Sequence, residues 1–436
     1  MAVPSGPKGT RDFYPQIMAI QQHIFDSWTK TSRKYGFEQF EGPMFEHLDV
    51  YRKKSGDEIE KQLYAFKDKA EREIALRPEL TPTLARMVAA KGTTLKKPLR
   101  WFSIPRLFRY EKMQKGRLRE FFQLNMDIIG IEEVSADAEL IAAAIDMMKD
   151  LGLTADDFKV RISNRTLLEE LFEHYGLPRE DHQKLYALLD KKHKVPPENY
   201  DAEMEKIIPD TDTRHNIKNI FSMNSLEKIR NCCGKQLDSI ENLQHLFDLL
   251  TSYGFDDYVV FDIGVVRGLA YYTGIVFELF DANKSMRAIA GGGRYDNLIK
   301  LYGGPPTPAV GFAAGDVVLA ELLKEKSLMP PDPPRSDLFI ITSDDVAYDQ
   351  RIATARQLRE KGIRCEFALK EKMNMTKQLK AANAAGVRYA LFLGKEENEQ
   401  GKVRVKDMRT GSEELLDVEN FGSQMVKLLD RCCSER

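Results

Sequence analysis

Near residues 16–35, Ile20, Ile24, Phe25 and Trp28 recur on one face at helical spacing and Gly36 ends the run, so an amphipathic helix is expected there. FEQFEGPMFEHLDVY (37–51) then reads as a strand-like segment, and REIALRPELTPTLARM (72–87) passes from a short strand through Pro78 into a helix. LRWFSIPRLFRYE (99–111) and LREFFQLNMDIIG (118–130) have the pattern of two strands joined by KMQKG, with Gly116 in the turn. Together they predict a long hairpin. Ser135 is placed to cap a helix that carries Asp137 and Glu139 in its first turn, points Ile141, Ile145 and Met148 inward and stops before Gly152. FKVRIS (158–163) follows as a strand.

From about Arg165 to Leu250 the pattern changes to charged helices, interrupted by KVPPENYDAE (194–203), with no strand signal, which predicts an inserted helical domain. Strand patterns resume at DDYVVFDIGVV (256–266), IVFELF (275–280) and AIAGGGRYD (288–296), and PAVGFAAGDVVLAELL (308–323) joins a strand to a helix. SLMPPDPPRSD (327–337) has the proline and polar content of a semi-rigid linker. Beyond it, LFIITSDD, a helix near 346–361, IRCEFAL, a helix near 375–385, YALFLG and a hairpin through KVRVKDMRTGSEELLD alternate as a small α/β domain with a mainly parallel sheet. The expected boundaries are therefore 1–326 with the insertion at about 165–250, a linker at 327–337, and a domain at 338–436.

The 436 residues, 42% of them hydrophobic, exceed one ordinary core and suit two or three globular domains. No apolar run approaches the roughly 18 residues a membrane span needs, so a cytoplasmic protein without a membrane partner is expected. Cys232, Cys233, Cys365, Cys432 and Cys433 have no metal-ligand spacing and read as reduced thiols. His23, His47, His174, His182, His193, His215 and His245 are likewise scattered, and no metal ligand is assigned. A formal net charge of −2 excludes a uniformly basic nucleic-acid binder but leaves room for a local basic face.

Such a face lies on the hairpin. From Lys96 to Arg119, nine basic residues (Lys96, Lys97, Arg100, Arg106, Arg109, Lys112, Lys115, Arg117, Arg119) stand against the single acid Glu111, which favours polyanions. Gln123, Asn125 and Asp127 share one strand face by the period-two rule. Neither G-x-G-x-x-G in the C-terminal part nor a G-x-x-x-x-G-K-[ST] loop occurs, so a nucleotide would be held another way. VRGLAYYTGIVFE (266–278) sets one arginine beside a glycine and a tyrosine pair just before a strand, and Gly291–Gly293 permit close approach of a backbone or ligand.

KGTRDFYP (8–15), GFEQFEGPMFEHLDVY (36–51), ALRPELTP (75–82), FRYEKMQKGRLREFFQLNMDIIG (108–130), VRGLAYYTGIVFE and AGGGRYDNLI (290–299) resemble, in that order, the histidyl-tRNA synthetases, a class II aminoacyl-tRNA synthetase family. The resemblance covers nearly the whole chain. It implies an α+β catalytic domain with an antiparallel class II sheet and flanking helices, the helical insertion, and a C-terminal α/β anticodon-binding domain. It also implies a homodimer built partly through the segment around Pro43, and a histidine–tRNA ligase that uses ATP with Mg2+. L-histidine and tRNA(His) would be its other substrates.

Carried over by position, Glu79 and Thr81, with Leu80 between them, match the loop that receives the amino group of histidine. Gln123 matches a substrate-binding glutamine, and Asp127 and Tyr272, with Tyr271 adjoining, match the groups that read the imidazole. Arg109 matches the hairpin arginine on the α-phosphate, and Glu111 and Arg117 belong with the ATP site. Arg267 matches the arginine that touches both carboxylate and α-phosphate, anions whose mutual repulsion a bridging cation offsets by several kcal/mol at about 4 Å. Two positions depart from the family pattern. Ala270 stands where the signature usually has aspartate, and Val318 where an arginine over the γ-phosphate is expected; Arg117 is the expected substitute. The lost arginine also fits a non-catalytic paralogue, such as the histidine-sensing regulatory subunit of ATP phosphoribosyltransferase, and a tRNA-binding module without ligase activity is the third reading. The C-terminal domain and the retained Arg109 and Arg267 favour the ligase.

Overall fold

A computed structural model describes residues 3–53, 62–191, 195–233, 237–267, 271–283, 285–332, 335–395 and 399–433. Ala270 and His193, and the side chains of Cys233, Cys432 and Cys433, lie outside the described ones; Cys232 and Cys365 are free. The chain divides into a unit Met1–Pro330 and a unit Pro331–Arg436.

In the first unit, the expected helix is Pro15–Lys34, closed by Gly36 at φ 74°. The expected strand over 37–51 instead breaks up. Its start, β1 (Glu38–Gln39), pairs parallel with β5 (Leu99–Ser103), whereas β2 (Phe45–His47) joins β3 (Ala65–Lys67) and β4 (Glu73–Leu76) in a separate small sheet. Leu48 to Lys53 are helical. Pro43, without an N–H, interrupts the ladder, and the i, i+3 pair Leu48 and Tyr51 buries against Leu63 and Ala75 only from a helix.

Pro105 likewise divides the first arm of the hairpin into β5 and β6 (Arg106–Phe108), both paired with the long β7 (Glu120–Ile129). Ser135 does not cap. The helix Ser135–Lys149 begins on Ser135 itself, follows Val134 without a side-chain cap, and buries Ala, Ile, Leu and Met along most of its length behind the sheet. β8 (Phe158–Asn164) and β9 (Val259–Phe261) flank the insertion. Only Val259–Phe261 of the pattern 256–266 is strand, because the Asp262 side chain turns back to accept from the Gly264 N–H (3.0 Å) and to pair with Arg161 (2.7 Å). β10 (Ile275–Asp281), β11 (Ala290–Arg294) and β12 (Ala309–Gly315) complete the large sheet, in the order β1-β5-β7-β12-β11-β10-β8-β9. It is antiparallel from β5 to β8 and parallel only at its two edges.

Among the described residues, 165–252 hold six helices and no strand, with Asn164 and Asp210 capping two of them. Leu167, Phe172, Leu185, Leu243 and Leu246 of this insertion belong to the same apolar core as Phe277 of β10 and Leu319 of the helix Asp316–Glu325. The second unit sets β13 (Leu338–Thr342), β14 (Cys365–Phe367), β15 (Tyr389–Leu393), β16 (Lys402–Asp407) and β17 (Glu413–Asp417) in the order β14-β13-β15-β16-β17. Its β14-β13-β15 part is parallel, as the alternation of strand and helix predicted, and the hairpin adds antiparallel strands at one edge.

A buried ion pair joins the large sheet to the helix behind it. Arg294 Nη2 and Nε reach Asp137 Oδ2 at 2.5 and 3.0 Å, and the remaining donors meet the carbonyls of Ile131 and Glu133. Burial still pushes Asp137 up to about 6 against the pull of Arg294. Arg294→Leu is therefore expected to cost about 3–5 kcal/mol, because it strands a buried carboxylate. Urea unfolding measures this, and a loss below about 1 kcal/mol would show that Asp137 does not depend on Arg294.

Candidate active site

The site lies on one face of β7, β12, β11 and β10, where strand alternation brings together residues far apart in sequence. Asp127 stands opposite Gly311, Asn125 opposite Ala313 and Gln123 opposite Gly315, while Gly291 lies between Ala313 and Glu278. Small residues on the two central strands leave depth between the polar positions of β7 and the arginine that enters from the far side. At two of those glycines a Cβ would displace the charged side chain seated against it. A Cβ on Gly311 would lie 2.0 Å from Asp127 Oδ1, and one on Gly291 would lie 2.3 Å from Arg267 Nη1.

Eight of the eleven residues matched by position to histidine and ATP sites line a single cavity: Glu79, Thr81, Arg109, Gln123, Asp127, Arg267, Tyr271 and Tyr272. Leu80 does not; its side chain is in the core at the start of the helix Thr81–Lys91. Glu111 and Arg117 pair with each other at 2.6 Å outside the lining. The cavity also takes in Tyr295, to which the sequence assigns no role although it lies in the AIAGGGRYD stretch. Tyr295 Oη donates to Asp127 Oδ1 at 2.5 Å. Burial pushes Asp127 up to about 7, with the Tyr295 bond acting in the opposite sense. Burial also holds the Tyr271 and Tyr295 hydroxyls well above the ordinary phenol range, so both are neutral donors at physiological pH.

Arg267 adopts φ 51°, the left-handed region that residues other than glycine rarely occupy and that costs of order 1–3 kcal/mol. That conformation turns its guanidinium over Gly291 to Glu278, where Nη1 meets Oε1 at 2.8 Å, and 5.9 Å from the centre of the Tyr272 ring. Its Nε is buried without a hydrogen-bond partner. On the opposite wall Arg109 Nε donates to the Pro78 carbonyl at 2.9 Å, and its guanidinium lies 5.2 Å from the Phe121 ring, a residue on the same strand face as Gln123. Phe121 was visible only as one of two consecutive phenylalanines; the pleat tells them apart, because Phe122 packs against Phe13 and Phe25.

Val318 is buried in the first turn of the helix Asp316–Glu325, at the rim of this floor. Asp316 begins that helix, accepts from the Phe122 N–H at 3.0 Å and pairs with Arg11 at 2.7 Å, which anchors the KGTRDFYP segment beside the hairpin. Among the described residues no group of three or more His, Cys, Asp or Glu could hold a metal ion, and no helix is long and apolar enough to cross a membrane.

A family model described as histidyl-tRNA synthetase matches residues 9–316, and one described as an anticodon binding domain matches residues 337–428. The chain is 40% identical over 407 residues to a chloroplastic/mitochondrial histidine–tRNA ligase of Arabidopsis thaliana, spanning 93% of this chain and 84% of that protein. It is also 40% identical over 411 residues to a histidine–tRNA ligase of Opitutus terrae, spanning 93% and 94%. The crystal structure of a histidyl-tRNA synthetase from Nostoc sp. shares the fold, with a TM-score of 0.83 at 22% identity over 98% of this chain and 100% of that one.

The contact between Gly311 and Asp127 can be tested directly. Gly311→Ala is expected to destabilise the protein by about 1–3 kcal/mol and to move the Asp127 titration up from about 7, because the carboxyl pushed off Tyr295 loses the bond that favours its charged form. Carboxyl NMR and urea unfolding read both effects. An unchanged titration and midpoint would mean that the two strands have room for a methyl group.

Proposed function

The chain belongs to the histidyl-tRNA synthetase family, and from that premise we propose that this cavity activates L-histidine with ATP and that the enzyme passes the histidyl group to tRNA(His). It is an aminoacyl-tRNA synthetase, a histidine–tRNA ligase. What carries the reading is that a carboxyl poised to titrate near neutral pH and phenols suited to an imidazole share one cavity with two arginines suited to a carboxylate and a phosphate. Imidazole has two ring nitrogens, so Asp127 and Tyr272 at separate edges read both. A side chain unable to pair with them would leave buried polar groups unmatched, and that discriminates against other amino acids. Glu79 and Thr81 receive the amino group, Gln123 steadies the substrate, and Tyr271 adjoins.

Activation forms a bond between a histidine carboxylate oxygen and the α-phosphorus of ATP and breaks the bond to the β-phosphate, releasing pyrophosphate. Arg267 lies where its fork can span both anions, and its unpartnered Nε supports such a ligand. Arg109 takes the α-phosphate from the other wall, with Glu111 and Arg117 toward the distal phosphates. Mg2+ enters with ATP as part of that substrate and neutralises charge on the phosphates. The terminal ribose of tRNA then displaces AMP from the acyl carbon, and residues 338–436 are proposed to bind the anticodon. A homodimer in the cytosol is the proposed working form; the exposed Met44, Phe45 and Phe66 on and beside the small sheet support an interface near Pro43.

Histidine-dependent exchange of labelled pyrophosphate into ATP tests this reading. Its absence in the folded protein would favour a non-catalytic paralogue, the reading that Val318 alone supports. Arg267→Ala is expected to slow adenylate formation by roughly 10²- to 10³-fold, the usual effect of one preorganised donor, while histidine still binds. An unchanged pre-steady-state rate would return Arg267 to a structural role.

The pH dependence follows from Asp127. At about 7 its carboxyl is raised above the ordinary range, so the empty pocket is protonated below that value, and the free imidazole below about 6.5. A complex holding fewer protons than its separated parts must release one, so histidine affinity is expected to rise by about tenfold per pH unit up to roughly 6.5. Asp127→Ala is expected to cost about 1.5–3 kcal/mol of binding at pH 7. Calorimetry checks both. An affinity that is flat from pH 5 to 7 would move the imidazole contact elsewhere.

A further inference from the structure

The floor that holds the cavity continues one step along the same strands. Past Asn125 and Ala313 the next paired positions on that face are Gln123 and Gly315, and Gly315 also receives the Ile289 carbonyl on its N–H at 3.1 Å. Nothing stands within 4 Å of where a Cβ on Gly315 would be, so the floor is open there. Beyond it β12 turns into the helix Asp316–Glu325, and β11 runs back to Arg287. Both ends meet the hairpin turn at Gly116. The space beside Gly116, at φ 72°, is bounded by Val318 Cγ2 at 3.1 Å, Arg287 Cδ at 3.8 Å and Glu321 Oε2 at 3.9 Å from the position of its missing Cβ.

We propose that Arg287 supplies the positive charge for the terminal phosphates of ATP at the point where Val318 supplies none. The inference rests on the ligase reading. A triphosphate laid from Arg109 and Arg267 over Gly315 ends beneath the hairpin turn, and breaking the bond at the α-phosphorus concentrates further negative charge on the departing pyrophosphate. A cation fixed there gains strength as the reaction proceeds. Arg287 is half-buried and its stem packs in the same group as Val318, so its guanidinium starts from a neighbouring strand end and serves the place that a longer side chain on the helix would reach. The Arg117–Glu111 pair flanks the same turn, and Arg287 acts beside it.

The test uses the full-length protein and ATP–pyrophosphate exchange. Arg287→Ala is expected to raise the KM for ATP and for pyrophosphate by roughly 10- to 100-fold, the worth of one charge-assisted contact, with histidine affinity by calorimetry unchanged. Arg287→Lys should fall between the two, and adding Val318→Arg to Arg287→Ala should recover most of the loss. If Arg287→Ala keeps both KM values, or if only Arg117→Ala raises them, the inference fails while the ligase reading stands. A parallel loss of histidine affinity and thermal stability in the Ala and Lys variants would also overturn it, because Arg287 would then be structural. Absence of exchange in the unmodified protein fails the ligase reading first, and is distinguishable for that reason.

Discussion

The close approach of the Arg267 guanidinium to the backbone of β11 is the contact on which the site depends. It needs a left-handed residue in the loop, a strand position without a Cβ at Gly291, and a carboxylate at Glu278 on the next strand. None of these works without the other two: a side chain at 291 would expel the cation, and without Glu278 a largely buried guanidinium would lack its counter-charge. The same economy recurs one strand pair away, where Gly311 admits Asp127. Glycine on the two central strands is thus a device for sinking charged groups into a sheet that is otherwise packed from behind by alanine and leucine.

The two sunken groups carry opposite electrostatic instructions. Asp127 has only a phenol beside it and burial leaves it poised near neutrality, whereas Arg267 has Glu278 and remains a cation. The pocket therefore offers a group that can respond to the charge of an incoming ring and, on the facing wall, one whose charge is permanent. One sheet can in this way serve both an aromatic base and a pair of anions without the two tasks interfering.

Much of this was legible in the chain because period-two alternation is a local signal. Gln123, Asn125 and Asp127 could be placed on one face from β7 alone, and the hairpin, the insertion and the α/β unit followed from changes in periodicity and from proline. What escaped depends on partners distant in sequence. Tyr295 and Gly311 meet Asp127 across intervals of 168 and 184 residues, the latter being 311 less 127, and no local pattern encodes either contact. Ser135 looked like a cap because caps are chosen by residue type, yet the turn before the helix already holds Val134 in a helical conformation. Two more departures, at residues 48–51 and 262–266 where the pattern predicts strand, share a cause: short apolar runs in which a proline or an aspartate turn outweighs propensity.

The insertion gives the molecule a further property. In sequence it is a cassette, entered from β8 and left toward β9, yet its leucines lie in the same core as the sheet that carries the site. Mechanically the helices and the sheet are one solid. A change deep in the insertion, such as a truncated Leu243, would be felt in the seating of β8 and β10, the strands that set where Glu278 stands. Evolution can vary the outer surface of those six helices freely, but it cannot delete them as a loop is deleted, because the wall they would expose is the back of the catalytic floor's own neighbour strands.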